Sequence, residues 1–161
     1  MEFRTQKESD VSSADEQVDH IMQLFVPDAK GDYHEGTSMF YRGSLKRLST
    51  VAFQLESFPH HFPLRLDPVA AIGIVEIAGI TLLDTGRARV LYRIDGNNTS
   101  SLIVGGTAQL FQPERPLSAI SPGTPLYLLS TGDDPQLVLP PLAEAPAFPL
   151  LLVVELRLLP S

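Results

Sequence analysis

The sequence predicts an all-β fold: an antiparallel β-sandwich or jelly roll of about ten short strands, in one domain spanning 20–161. Three observations carry this. Several short segments alternate apolar and polar residues, the period of a half-buried strand. Fourteen prolines and eleven glycines among 161 residues interrupt helices and favour turns. No strand-like run alternates with a helical one, so the βαβ units of a parallel sheet are not in the pattern. With 43% hydrophobic residues, a chain of this length can enclose one sizeable core.

Residues 1–19 are polar and without periodicity. They read as a flexible acidic tail or the end of a linker, because they cannot bury enough apolar surface to offset the entropy of ordering. His20–Val26 is an apolar strand stopped by Pro27. Thr37–Arg42 and Arg47–Glu56 follow, the latter placing Val51, Phe53 and Leu55 opposite Thr50, Ala52 and Gln54. Phe62–Asp67 alternates again. Ile72–Leu83 is apolar on both faces and predicts a central strand bent at Gly79. Arg87–Ile94 and Ser101–Phe111 flank Asp95-Gly96-Asn97-Asn98, whose Asp-Gly and Gly-Asn steps predict a hairpin turn. Inside the second of these strands, Gly105-Gly106 predicts a bulge or close packing. Pro125–Leu129 and Gln136–Leu139 are separate strands, joined by a turn at Gly132-Asp133-Asp134-Pro135. Leu150–Leu158 closes the set. Open layers are favoured over a closed barrel.

Composition narrows the function. With no cysteine, there is no disulfide and no thiolate ligand or nucleophile. The net charge is −7, most of it in the first twenty residues. The body is nearly balanced and has no Lys/Arg cluster, which argues against nucleic-acid or anionic-membrane partners. No apolar targeting run opens the sequence, and the longest apolar runs are too short to span a bilayer. The expectation is a cytoplasmic chain without membrane insertion, with the sequons at Asn97 and Asn98 unglycosylated.

Catalytic chemistry finds little support. The histidines are His20, His34, His60 and His61, with no His-x-His pair, and the adjacent His60 and His61 would face opposite sides of a strand. There is no Gly-x-Ser-x-Gly elbow. Asp133-Asp134 and Glu35 could approach as carboxylates, and acidic loops could offer oxygens to calcium, but no complete ligand set is in the pattern. Neither enzyme activity, metal nor cofactor is expected. Arg65 and Asp67 are either a ligand clamp or an ion pair fixing a sheet edge. What remains is a sugar-type surface, in which aromatic rings stack on C–H faces and polar side chains take hydroxyls. The candidates are Tyr33, His34 and Glu35, then Tyr41 with Arg42, Tyr92 with Arg93, and Asn97 with Asn98. Each tyrosine is more often a rim or core residue than a sugar platform.

At Leu64-Arg65-Leu66-Asp67-Pro68, Gly73-Ile74-Val75-Glu76-Ile77, Ile80-Thr81-Leu82, Ser130 to Gln136, Val138-Leu139-Pro140-Pro141 and the closing Leu-Leu-Val-Val-Glu-Leu-Arg-Leu, the chain resembles a known kind of module. These are the β-sandwich accessory domains of bacterial glycosyltransferases and methyltransferases that make cell-surface polysaccharides. The resemblance covers roughly residues 20–159. It implies a galactose-binding-like jelly roll without catalysis, positioning an acceptor glycan or docking a glycosyltransferase or methyltransferase domain. The sequence departs from that pattern at Val69-Ala70-Ala71-Ile72, where such modules carry a more polar turn. An alternative is a structural or protein-interaction module that self-associates through an apolar face.

Overall fold

A computed structural model of the chain describes residues 19–115, 117 and 123–160; the expected acidic tail, except Asp19, lies outside them. Nine strands form among the described residues: β1 (His20–Phe25), β2 (Ser38–Gly43), β3 (Ser49–Leu55), β4 (Arg65–Asp67), β5 (Gly73–Asp84), β6 (Arg89–Ile94), β7 (Ile103–Phe111), β8 (Leu126–Val138) and β9 (Leu150–Leu158). Short 3₁₀ turns occupy Glu35–Thr37 and Thr99–Ser101. Every ladder is antiparallel. The all-β architecture is therefore as the alternation predicts.

The strand order is β2-β1-β4-β8-β5-β9-β3, with β6 beside β5 and β7 beside β8. One strand makes this a nearly closed sheet. On one side β8 pairs with β7 along most of its length. On the other side it pairs first with β5, Leu126–Ser130 against Gly73–Ile77, and then with β4 at Leu137 and Val138. The strand thus belongs to both layers. Expecting two strands here, split by a turn at Asp133-Asp134-Pro135, is incorrect: these residues lie within β8. Pro135 faces Gly106 across the ladder, and the register slips between Gly106 and Ala108. This is the bulge that Gly105-Gly106 predicts. Gly106 has φ +61, and a Cβ there would collide with the Asp134 carbonyl oxygen. The bend is stitched by Ser130 Oγ donating to the Gly132 carbonyl at 2.8 Å and the Asp134 amide donating to Thr107 Oγ1 at 3.1 Å.

The hairpin expected at Asp95–Asn98 is also corrected. β6 pairs with β5, and β7 pairs with β8, so the turn carries the chain between different ladders. Its geometry still uses the predicted turn chemistry. The Asp95 amide donates to Asn98 Oδ1 (2.8 Å), the Asn97 amide to Asp95 Oδ1 (2.9 Å), and Asn98 Nδ2 to the Arg93 carbonyl (2.7 Å). A bulge in β5 lies between Ile77 and Gly79, where the sequence places a bend. The missing Gly79 side chain makes room for the Arg93 guanidinium, which donates to the Ala78 carbonyl and Thr81 Oγ1.

The core follows from period two. Leu150, Leu152, Val154 and Leu156 of β9 are fully buried, and so are Val75, Ile77 and Ile80 of β5 and Met22 and Leu24 of β1. Leu66, Leu128 and Leu137 join the same apolar cluster. Each such side chain contributes roughly 1.5–3 kcal/mol by leaving water. The end strands of the order, β2 and β3, are joined by residues 44–48, whose Leu45 is also fully buried. Its carbonyl accepts the Leu158 amide at 2.7 Å and its own amide donates to His20 Nδ1 at 2.9 Å, tying β9 to β1.

Gly106→Ala should lower stability by about 1–3 kcal/mol, because an L side chain must hold positive φ while displacing the Asp134 carbonyl. Urea unfolding of both proteins measures this, and an unchanged midpoint would show the bulge to be adaptable.

Candidate functional site

The outward residues of β2, β1 and β4 form one polar row. Gln23 lies across from Phe40 on one side and Asp67 on the other. The next row sets Phe25 between Ser38 and Arg65. Leu24 and Leu66, between these positions, point into the core and fix which residues face out. Arg65 makes a two-pronged pair with Asp67, Nε to Oδ1 and Nη2 to Oδ2, both at 2.9 Å. Its guanidinium also lies 4.2 Å over the Phe25 ring and 5.6 Å from the Tyr33 centroid. β4 lies between β1 and β8, so the pair sits mid-sheet and not on the sheet edge that the sequence offered as one reading.

The 27–37 segment covers one flank. Asp28 accepts the amides of Lys30 and Asp32, at 2.8 and 2.9 Å, and its other oxygen contacts His34 Nε2 at 2.7 Å. Those bonds hold its carboxyl below the usual range, the Asp32 amide most of all. Glu35 is brought to Gln23, whose Nε2 donates to Glu35 Oε1 at 3.1 Å and Ser38 Oγ at 2.9 Å. Asp67 is pushed up, chiefly by burial, against the pull of Arg65; Asp134 and Glu35 push the same way as burial. The face therefore gathers carboxylates around one arginine.

The candidate residues divide. Tyr33 lies beside Arg65 and Glu35 acts on Asp67, whereas His34 is turned to Asp28, and Arg42 lies outward on β2. Tyr33 is not a free ring: its hydroxyl donates to the Pro63 carbonyl at 2.8 Å and its edge packs on Phe25. Tyr41 pairs with Met22 on the inward side and packs against the core. Tyr92 pairs with Leu82, also inward, and its hydroxyl is buried without a hydrogen-bond partner. Burial raises that phenol's pKa. Tyr41 and Tyr92 thus turn away from the outward face and lie half-buried against the core. Asn97 and Asn98 lie on the β6–β7 connection, and neither of those strands is laddered to β1, β2 or β4.

The residue missed is Phe40, which is 59% exposed at the β2 end of the polar row. Its signal was present: in the neighbouring pair Phe40-Tyr41 one ring must face out, and the register of β2 decides which. Elsewhere, Glu76 is completely buried on the outward side of β5, between Tyr127 and Arg157 across their ladders. Tyr127 donates to Glu76 Oε2 at 2.9 Å and Arg157 Nε to Oε1 at 3.1 Å. Burial, then the Glu76 bond, raises the Tyr127 phenol's pKa. An apolar groove of about 520 Å³ is lined by Lys46, Ile72, Gly73, Ile74, Leu158, Leu159 and Pro160.

Among the described residues no group of three or more His, Asp or Glu side chains is arranged to hold a metal, and no helix is long and apolar enough to cross a membrane. The fold and this face define a class: a small antiparallel β domain whose candidate site is an open sheet face. Comparison with family models, curated proteins and solved structures yields no match.

Tyr92→Phe should leave stability unchanged or raise it by up to about 1 kcal/mol, since it removes a buried hydroxyl that has no partner. Thermal unfolding tests this. A clear loss would mean that the hydroxyl bonds in solution.

Proposed function

We propose that this domain is a non-catalytic carbohydrate-binding module that holds a glycan across the face of β2, β1 and β4. The observation that carries the reading is the row Phe40–Gln23–Asp67, an exposed ring beside an amide and a carboxylate. A sugar's C–H face would lie on Phe40. Its hydroxyls would be taken by Gln23, Glu35 and Asp67, with Arg42 at the flank. Arg65 would hold Asp67 in place, being itself clamped over Phe25. An open face of this kind excludes little water, so binding is weak and depends on repeated units of a polymer. The bacterial surface-polysaccharide resemblance supplies the ligand class and the partner, a glycosyltransferase or methyltransferase domain acting on the held glycan.

A second reading, protein docking or self-association, is favoured by the groove beside Ile72, which is 72% exposed. Both readings leave catalysis to another domain.

Calorimetric titration with bacterial surface-polysaccharide fragments tests the first. Phe40→Ala should weaken binding about tenfold, corresponding to loss of a stacking contact of about 1–1.5 kcal/mol, and Gln23→Ala should weaken it less. Flat responses of the wild type across a broad glycan set would remove the glycan reading. Concentration-dependent light scattering that Ile72→Asp abolishes would replace it with the second.

A further inference from the structure

We propose that His20, the Leu45 backbone and Leu158 form a proton-sensitive latch across the seam of the sheet, closed when the imidazole is neutral and released in mild acid. The seam is where β2 and β3, at the two ends of the strand order, are joined by residues 44–48. Leu45 stands at its middle with both backbone groups used. Its N–H donates to His20 Nδ1 at 2.9 Å, and its carbonyl accepts the Leu158 N–H at 2.7 Å. One residue, through its two backbone groups, therefore connects the start of β1 to the end of β9.

The bond to His20 specifies a protonation state. An Nδ1 that accepts a backbone N–H must carry a lone pair, so the ring is neutral with its proton on Nε2. The imidazolium carries N–H on both nitrogens, which would set donor against donor at Leu45. The ring is 7% exposed, so it cannot simply turn to water without opening the segment around it. Its charged surroundings are Lys46 from the 44–48 segment and Asp19, the residue just before its own strand. Burial and then Lys46 disfavour the charged ring; Asp19 and the Gly43 backbone oppose them, and the balance lies below the ordinary value of 6.5.

The sign follows from linkage. The folded-state pKa lies below the unfolded one, so the unfolded chain binds more protons between them. The latch's contribution is complete above about pH 6.5 and is lost as pH falls below that toward the folded value. Lys46 and Leu158 also line the apolar groove, so release of the latch alters one wall of that groove. The inference holds whether or not the sheet face binds glycan.

Hydrogen exchange of the full chain, followed by NMR at about pH 7.5 and about pH 5.5, tests it. Protection factors correct for the intrinsic pH dependence of exchange. Protection at the Leu45 and Leu158 amides should fall about tenfold in acid, while amides in the β3–β9 ladder hold theirs. His20→Asn offers an acceptor in nearly the same place that does not titrate, and its Leu45 protection should be equal at both pH values. Unchanged protection at Leu45 in the wild type would overturn the latch, as would an equal fall at every amide or the same acid loss in His20→Asn. Should that variant fail to fold, NMR titration of the wild-type His20 ring decides: a midpoint at or above 6.5 overturns the proposal.

Discussion

The architecture depends on the bend in β8. A single flat sheet of nine strands would expose its apolar side, and two separate sheets would each present more edges. β8 resolves this by changing its partner on one side from β5 to β4 while keeping β7 on the other. The bulge at Gly106–Ala108 permits the turn, and the inward side chains on both arms, Leu128 and Leu137, remain fully buried. β4 is only three residues long, so its place between β1 and β8 relies on that bend. The polar face relies on it in turn, because Arg65 and Asp67 are two of those three residues.

The polar groups that the fold buries are found at its joints. Glu76 ties β5 to β8 through Tyr127 and to β9 through Arg157, on the outward side of the layer. Asp84 ends β5 facing inward, with Oδ1 accepting the Arg87 amide at 3.1 Å at the turn into β6. Arg87 and Arg89 stand 3.9 Å from its other oxygen. His20 holds the seam. A buried charge or imidazole costs free energy unless it is bonded, so each such position is strongly specified by its partners. These sites set the registry of neighbouring strands, a task that interchangeable leucines perform less selectively.

The candidate face shows how far residue-level reasoning reaches. Arg65 and Asp67 are legible as a pair because they are two apart on a strand and share a face. Tyr33, His34 and Glu35 are legible as a polar turn near an aromatic. Phe40 against Tyr41 was not, because adjacent aromatics fit either register until Met22 claims Tyr41 for the inside. Tyr92 was illegible for the same reason: only its place opposite Leu82 turns it toward the core. Asn97 and Asn98 were correct as turn residues, yet the ladders send their flanking strands to different partners.

By itself the sequence determined the strand content, the bend at Gly79, the irregularity at Gly105-Gly106 and the two-faced alternation of β3. These follow from local sterics and from a two-residue alternation that needs no partner to be read. Tertiary structure alone decided that Asp133-Asp134-Pro135 extends a strand, that β6 and β7 do not form a hairpin, and which aromatic faces out. Those outcomes depend on which strands lie side by side. Pairing is a contest among long-range contacts of similar local appearance, and it is settled by how one whole core packs.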